Sequence, residues 1–264
     1  MKAVLSSIFV NRILMAGGLL AGALLGSLPT HAQQQPTKAP TEDEWHRQEE
    51  ERLHNDWAYL KRYAAANAQL PAPAPGVPRV VLMGNSITEG WPKADSAFFA
   101  SRKPYEFIGR GISGQTSAQM LLRFRQDVVA LRPTVVVILA GSNDVAENRG
   151  PYHPHATLDN IMSMTELARA QGIRVVLCSL PPAYDFPWRP NLQPAPKIVA
   201  LNQQIKAYAD KNRLVYLDYH TALADERQGL KKAYGDDGVH PNLAGYRVME
   251  PLLQQAVAAA LKRK

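Results

Sequence analysis

Four short segments carry the residues that could do chemistry. A β-branched run, Val80-Val81-Leu82, leads into Gly84-Asn85-Ser86. A serine where a strand ends and a helix begins is where open α/β sheets place reactive groups. Far downstream, Asp237 stands three residues before His240 in Asp237-Gly238-Val239-His240-Pro241. If that segment turns, the carboxylate reaches back to its own histidine's ring. An imidazole held that way can take a serine proton near neutral pH. Between the two lie Gly111-Ile112-Ser113-Gly114-Gln115-Thr116 and Gly141-Ser142-Asn143-Asp144. Backbone N–H groups of Ser86 and Gly114 and the side-chain amide of Asn143 are the donors available to a tetrahedral oxyanion. Glycine at 114 lets the backbone approach closely and take positive φ.

Each segment has a plainer reading when taken alone. Gly84-Asn85-Ser86 could cap a helix, Gly114 could serve only a turn, Asn143-Asp144 could start a helix, and Asp237 and His240 could sit in a solvated loop. What argues against four coincidences is that each segment follows a strand-like run. Those runs are residues 80–83, 106–108, 135–139, 175–179 and 214–218. Helical patterns separate them. Met120, Phe124, Val128 and Leu131 share one face, ended by Pro133. Leu158, Ile161, Met162 and Thr165 share the next, with Gly172 as its stop. Ile198, Leu201, Ile205 and Tyr208 form a third. A last helix begins at Asn242 with Tyr246, Met249, Leu253 and Val257, and Pro251 predicts a kink or restart within it. Short apolar strands alternating with helices predict a parallel sheet covered on both faces, with ligands beyond the carboxyl ends of its strands.

The four segments together resemble the SGNH, or GDSL-type, hydrolase superfamily. The resemblance rests on Gly84-Asn85-Ser86-Ile87-Thr88, Gly111 to Thr116, Gly141 to Asp144 and Asp237 to Pro241, and runs from about Arg79 to the C-terminus. It implies a flavodoxin-like three-layer α/β/α sandwich with five parallel strands. It further implies Ser86 as nucleophile, His240 as base, Asp237 as its orienting acid, and Ser86, Gly114 and Asn143 as the oxyanion hole. No cofactor or metal is implied. Family members often carry aspartate where this chain has Asn85, although Gly-Asn-Ser-Ile-Thr is also similar to blocks found in the family. The change removes a negative charge beside the nucleophile.

The rest of the chain frames this domain. Of 264 residues, 1–32 carry Lys2 and Arg12, no acids, an apolar run, and Thr30-His31-Ala32 as a loose cleavage site. This reads as a secretory signal peptide, with a retained anchor as the alternative. Residues 33–40 form a polar leader. A capping-box pattern at Thr41 to Glu44 opens an expected amphipathic helix over residues 42–67, with Trp45, Leu53, Trp57, Leu60 and Ala64 on one stripe. It is expected to brace the main domain, with a partner surface or a lid over the site as the alternatives. A stiff proline-rich linker, residues 71–78, precedes the hydrolase domain at 79–264.

Composition excludes several classes. The formal charge of +7 falls by two when the signal peptide is removed, and basic residues are interleaved with acids. That pattern argues against nucleic-acid binding. The single cysteine, Cys178, excludes an intrachain disulfide and reads as a buried hydrophobe. His153 and His155 have no carboxylate or cysteine beside them and read as solvated rather than metal-binding. Asp218 and His220 end the fifth strand without a serine turn and read as rim residues. Trp91, Tyr184 and Trp188 are expected in loops near the rim, as a sugar platform, an acyl-pocket lining or core anchors.

The expected activity is cleavage of a small-molecule or glycan ester through an acyl-serine, with a short-acyl or carbohydrate O-acetyl ester favoured. Lysophospholipid, other lipid and thioester substrates are the alternatives. A non-catalytic glycan- or envelope-binding module is the alternative of another class. No stable membrane insertion is expected once the signal peptide is cleaved, and nothing in the sequence speaks to oligomeric state.

Overall fold

The computed structural model describes residues 41–101 and 104–263; the expected signal peptide and leader lie outside them. In chain order the helices are α1 (Glu42–Asn55), α2 (Ala64–Gln69), α3 (Ser86–Ala94), α4 (Ser96–Ala100), α5 (Ser117–Asp127), α6 (Ser142–Val145), α7 (Pro154–Ala170), α8 (Pro194–Lys211), α9 (Tyr219–Leu223) and α10 (Leu243–Lys262). The strands are β1 (Arg79–Gly84), β2 (Glu106–Gly111), β3 (Val135–Ile138), β4 (Arg174–Cys178) and β5 (Val215–Leu217). They form one five-stranded sheet in the order β2-β1-β3-β4-β5, with every pairing parallel.

The sheet is apolar on both faces because side chains alternate along each strand. Val81, Met83, Val136, Ile138, Val175 and Leu177 pack with residues of α5, α7 and α8. Val80, Leu82, Val135, Val137, Val176 and Leu217 pack with residues of α3 and α10 on the other face. Three layers result, as right-handed crossovers require of a parallel sheet. At the amino end of the sheet the buried guanidinium of Arg79 bonds Glu106 at 2.8 Å, and also the carbonyls of Leu131 and Pro71. That fixes β1 against β2 and against the proline-rich approach.

Five local expectations change. The helix over residues 42–67 is not continuous. Asp56 accepts from the backbone N–H of Leu60 and Lys61 at 2.7 and 3.0 Å, and Tyr59 takes a left-handed φ of 53°. A side chain that captures backbone donors competes with the helix ladder. A 3₁₀ turn over Leu60–Tyr63 and the short α2 follow instead. The proposed stripe is not the buried face, since Trp45 is 54% exposed and no residue of α1 is buried. In α7 the inward methionine is Met164 rather than Met162. In α10, Pro251 lies within one unbroken helix, so there is no restart. Trp91, expected in a loop, sits in α3 at 3% exposure, with ring centroids 5.1 Å from Tyr246 and 5.8 Å from Phe98. It is a core anchor and cannot serve as a substrate platform.

Candidate active site

The carboxyl ends of β1, β2 and β3 bring three of the four segments to one rim, and the turn before α10 adds the last. Ser86 is the first residue of α3, and Asn85 is its N-cap, accepting from the Ile87 N–H at 3.2 Å. This is the capping role open to Asn85 from sequence, and a neutral amide performs it. A Cβ on Gly84 would stand 2.0 Å from Thr88 Oγ1 and 2.7 Å from Thr88 Cβ, so glycine here leaves the room that the Thr88 side chain fills in the first turn of α3.

Ser86 Oγ lies 2.9 Å from His240 Nε2, and His240 Nδ1 lies 2.6 Å from Asp237 Oδ2. The carboxylate's other oxygen accepts from the backbone N–H groups of Val239 and His240, at 2.9 and 2.8 Å. The segment is therefore the turn its spacing predicted. Partial burial pushes the Asp237 carboxyl up. The hydrogen bonds from His240 and Val239 outweigh it and hold the group below the usual carboxylate range. A hydroxyl bonded to an imidazole whose second nitrogen faces an ionised carboxylate is an arrangement able to generate a serine nucleophile.

Gly114 has φ of +75°, as expected of its turn. Asn143, in α6, donates from Nδ2 to the carbonyl of Gln115 at 2.9 Å, so the second and third segments touch directly. Asp144 does not cap its own helix. It accepts instead from both the N–H and the hydroxyl of Ser117, the first residue of α5. Burial raises the pKa of its carboxyl above the aspartate norm despite those bonds.

Several residues that hold the rim were not singled out from sequence. Arg123 is fully buried in α5. Its guanidinium bonds the carbonyls of Gly84 and Arg110 at 2.8 and 2.9 Å, Gln115 Oε1 at 2.5 Å and Asp127 Oδ2 at 3.1 Å. One side chain thus ties the ends of β1 and β2 to the Gly114 loop. The signal was available, because position 123 lies on the same face as Met120, Phe124 and Asp127, where a solvated charge would not be placed. Glu89 accepts from the Ser113 N–H at 2.9 Å and from its hydroxyl, and pairs with Arg62 at 2.9 Å. The segment after α1 also touches this loop, through two of its carbonyls and one hydroxyl. Gln115 donates to the Ala58 carbonyl and Gln119 to that of Trp57, both at 2.7 Å, and Tyr63 donates to the Gly111 carbonyl. These contacts are those of a brace on the second segment.

The remaining candidates divide. Trp188 is 43% exposed and stacks on the His240 ring, with centroids 6.0 Å apart and planes at 29°. Tyr184 is 53% exposed and carries the Arg227 guanidinium 4.7 Å over its ring. It lines a groove of about 210 Å³ with Arg227, Leu230, Asp237 and Gly238. A larger hollow of about 490 Å³, lined by Arg169, Arg174, Arg213 and Arg263, lies around residues at the amino ends of β4 and β5, away from the serine. His153 and His155 are exposed. Asp218 caps α9 by accepting from the Thr221 N–H, and His220 is buried beside it, so both are structural rim residues.

The family model of the GDSL-like lipase/acylhydrolase family matches residues 82–248 of the chain. The chain belongs to that family. A GDSL-like lipase of Bacteroides thetaiotaomicron, known as a crystal structure, is 48% identical with a TM-score of 0.74, covering 78% of this chain and all of its own. The esterase TesA of Pseudomonas aeruginosa is 28% identical over 183 residues, 68% of this chain and 82% of that protein. An acetylxylan esterase of Xylanibacter ruminicola is 24% identical over 225 residues, 71% of this chain but 45% of that protein. A GDSL-family chain with these relatives is a carboxylic ester hydrolase.

Proposed function

We propose that this chain is an exported serine esterase acting on short-acyl esters, with carbohydrate O-acetyl groups as its substrate class. The observation that carries the mechanism is the unbroken run of hydrogen bonds from Ser86 through His240 to Asp237. His240 Nε2 takes the Ser86 proton as Oγ bonds to the ester carbonyl carbon. The electron pair of the carbonyl moves to its oxygen, which the N–H groups of Ser86 and Gly114 and the Asn143 amide hold. Collapse breaks the bond to the alcohol oxygen, which receives the proton from His240. Water then enters, gives a proton to His240 and attacks the acyl carbon. The acid leaves as that proton returns to Ser86. Asp237 stays ionised throughout and steadies the imidazolium. No cofactor enters these steps.

Export rests on the expected signal peptide at residues 1–32. Among the described residues no helix is long and apolar enough to cross a membrane. The substrate class is supported by the exposed rings of Trp188 and Tyr184 beside the His240–Asp237 pair, faces suited to stacking on a sugar. It is also in keeping with the acetylxylan esterase among the relatives. Acetate release from acetylated xylan, compared with hydrolysis of p-nitrophenyl esters of increasing acyl length, tests the reading. Acetyl esters should have the highest kcat/KM, and a rise towards long acyl chains would overturn the choice of substrate.

A further inference from the structure

Three hydrogen bonds in one direction join Trp188 to the second segment. Trp188 Nε1 donates to Asn148 Oδ1 at 3.1 Å, Asn148 Nδ2 donates to Asn143 Oδ1 at 2.8 Å, and Asn143 Nδ2 donates to the Gln115 carbonyl at 2.9 Å. An indole N–H can only donate and a backbone carbonyl can only accept. These two ends fix the orientation of both amides between them. Were Trp188 unable to donate, Asn148 could turn over and present its oxygen to Asn143. Asn143 would then face two oxygens, Asn148 Oδ1 and the Gln115 carbonyl, and could keep a donor towards only one of them; turning to Asn148 would put an amide oxygen in the place of its Nδ2.

We propose that Trp188 and Asn148 are positioning residues that hold the Asn143 amide in its donating orientation. This rests on Asn143 acting as an oxyanion donor, as described above. An oxygen in place of Nδ2 would repel the developing oxyanion instead of binding it. Bonds that all run the same way also polarise one another, which makes the remaining Asn143 N–H a stronger donor.

The surroundings hold this chain of bonds in place. Glu147 takes a left-handed φ of 55°, which turns the backbone so that the Asn148 N–H meets the Asn143 carbonyl at 3.1 Å. The Trp188 loop is held to the same turn by Arg189 donating to the Glu147 carbonyl, and Phe186 packs 5.2 Å from the indole. Because the indole also stacks on His240, one ring contacts the proposed base and orients the proposed oxyanion donor.

The test is a double-mutant cycle. Trp188→Phe keeps an aromatic face on His240 and removes the N–H. Asn148→Asp keeps the acceptor for Trp188 and removes the donor to Asn143. Each is measured alone and combined with Asn143→Ala, using p-nitrophenyl acetate, with Ser86→Ala as the blank and circular dichroism to confirm folding. Loss of one oxyanion donor lowers kcat about 10²–10³-fold. Within that limit we expect Trp188→Phe to lower kcat about tenfold and Asn148→Asp about a hundredfold, KM staying within about twofold. Neither should cost anything further once Asn143 is alanine. Unchanged kcat in both variants, a change confined to KM, or losses that multiply in the Asn143→Ala background would each overturn the proposal. If Asn148→Asp does not fold, the Trp188→Phe cycle decides alone. Hydrolysis by Ser86→Ala at the wild-type rate would instead refute the serine mechanism, and this proposal with it. An inactive Ser86→Ala beside a failed cycle would refute the positioning role alone.

Discussion

Replacing Arg123 with methionine should destabilise the protein and damage the site together. The guanidinium is fully buried and serves four acceptors: the carbonyls of Gly84 and Arg110, Gln115 Oε1 and Asp127 Oδ2. Methionine fills most of the volume but donates nothing, and it leaves the buried Asp127 carboxylate with the Asn67 amide at 2.7 Å as its near partner. Removing one member of a buried pair costs about 3–5 kcal/mol, because the other charge stays desolvated. For a chain of this size each kcal/mol lowers Tm by about 2–4 °C, so a fall of roughly 6 to 20 °C is expected. Thermal unfolding by circular dichroism at pH 7 measures it, with kcat on an acetyl ester taken well below the new Tm. Two of the lost bonds hold the end of β1 and Gln115, so kcat should drop by more than the unfolded fraction explains. Adding Asp127→Leu removes the stranded carboxylate and should recover at least about 1 kcal/mol of the loss. A Tm for Arg123→Met within about 2 °C of wild type, with full kcat, would refute the claim that this side chain ties the rim together.

Other perturbations follow from the same geometry. The depressed pKa of Asp237 makes a stabilising contribution that is fully present above the unfolded aspartate value, about 3.9, and is lost as pH falls through the lower folded value. Urea midpoints measured from about pH 5 down to pH 2 should fall more steeply for wild type than for Asp237→Asn, and parallel curves would contradict this. A Cβ on Gly111 would stand 2.2 Å from Glu89 N and 2.5 Å from the Asn85 carbonyl. Gly111→Ala should therefore cost about 1–3 kcal/mol in denaturant unfolding and lower kcat by moving the start of α3. Tyr63→Phe removes the hydroxyl that bonds the Gly111 carbonyl. It should cost about 1 kcal/mol in the same assay and leave KM unchanged, as expected of a brace rather than a lid.

The sheet and the Asp237–His240 contact were legible because both leave local patterns. Runs such as Val135-Val136-Val137 announce buried parallel strands. Asp237 and His240 are close enough in sequence for their contact to be read from spacing alone. The second and third segments could be assigned to the rim only through topology, since Gln115 and Asn143 meet across the crossover from β2 to β3. Trp91 misled because its neighbours look like loop, whereas the ring is enclosed by Phe98 and by Tyr246, from distant α10. The helix over residues 42–67 failed on one side chain, Asp56, whose capture of two backbone donors outweighs an apolar stripe. Asn148 left no local signal at all. Its role depends on Trp188, forty residues away in the chain, and on a left-handed turn at Glu147.

The central claim is that ester cleavage passes through an acyl group carried by Ser86. The most direct measurement is rapid quench during turnover of p-nitrophenyl acetate, followed by proteolysis and mass spectrometry of the peptide containing Ser86. Wild type should carry an acetyl group on Ser86, and Ser86→Ala should lack it and lose turnover. Turnover by Ser86→Ala at the wild-type rate, or an acetyl group carried on another residue in kinetically competent amount, would contradict it.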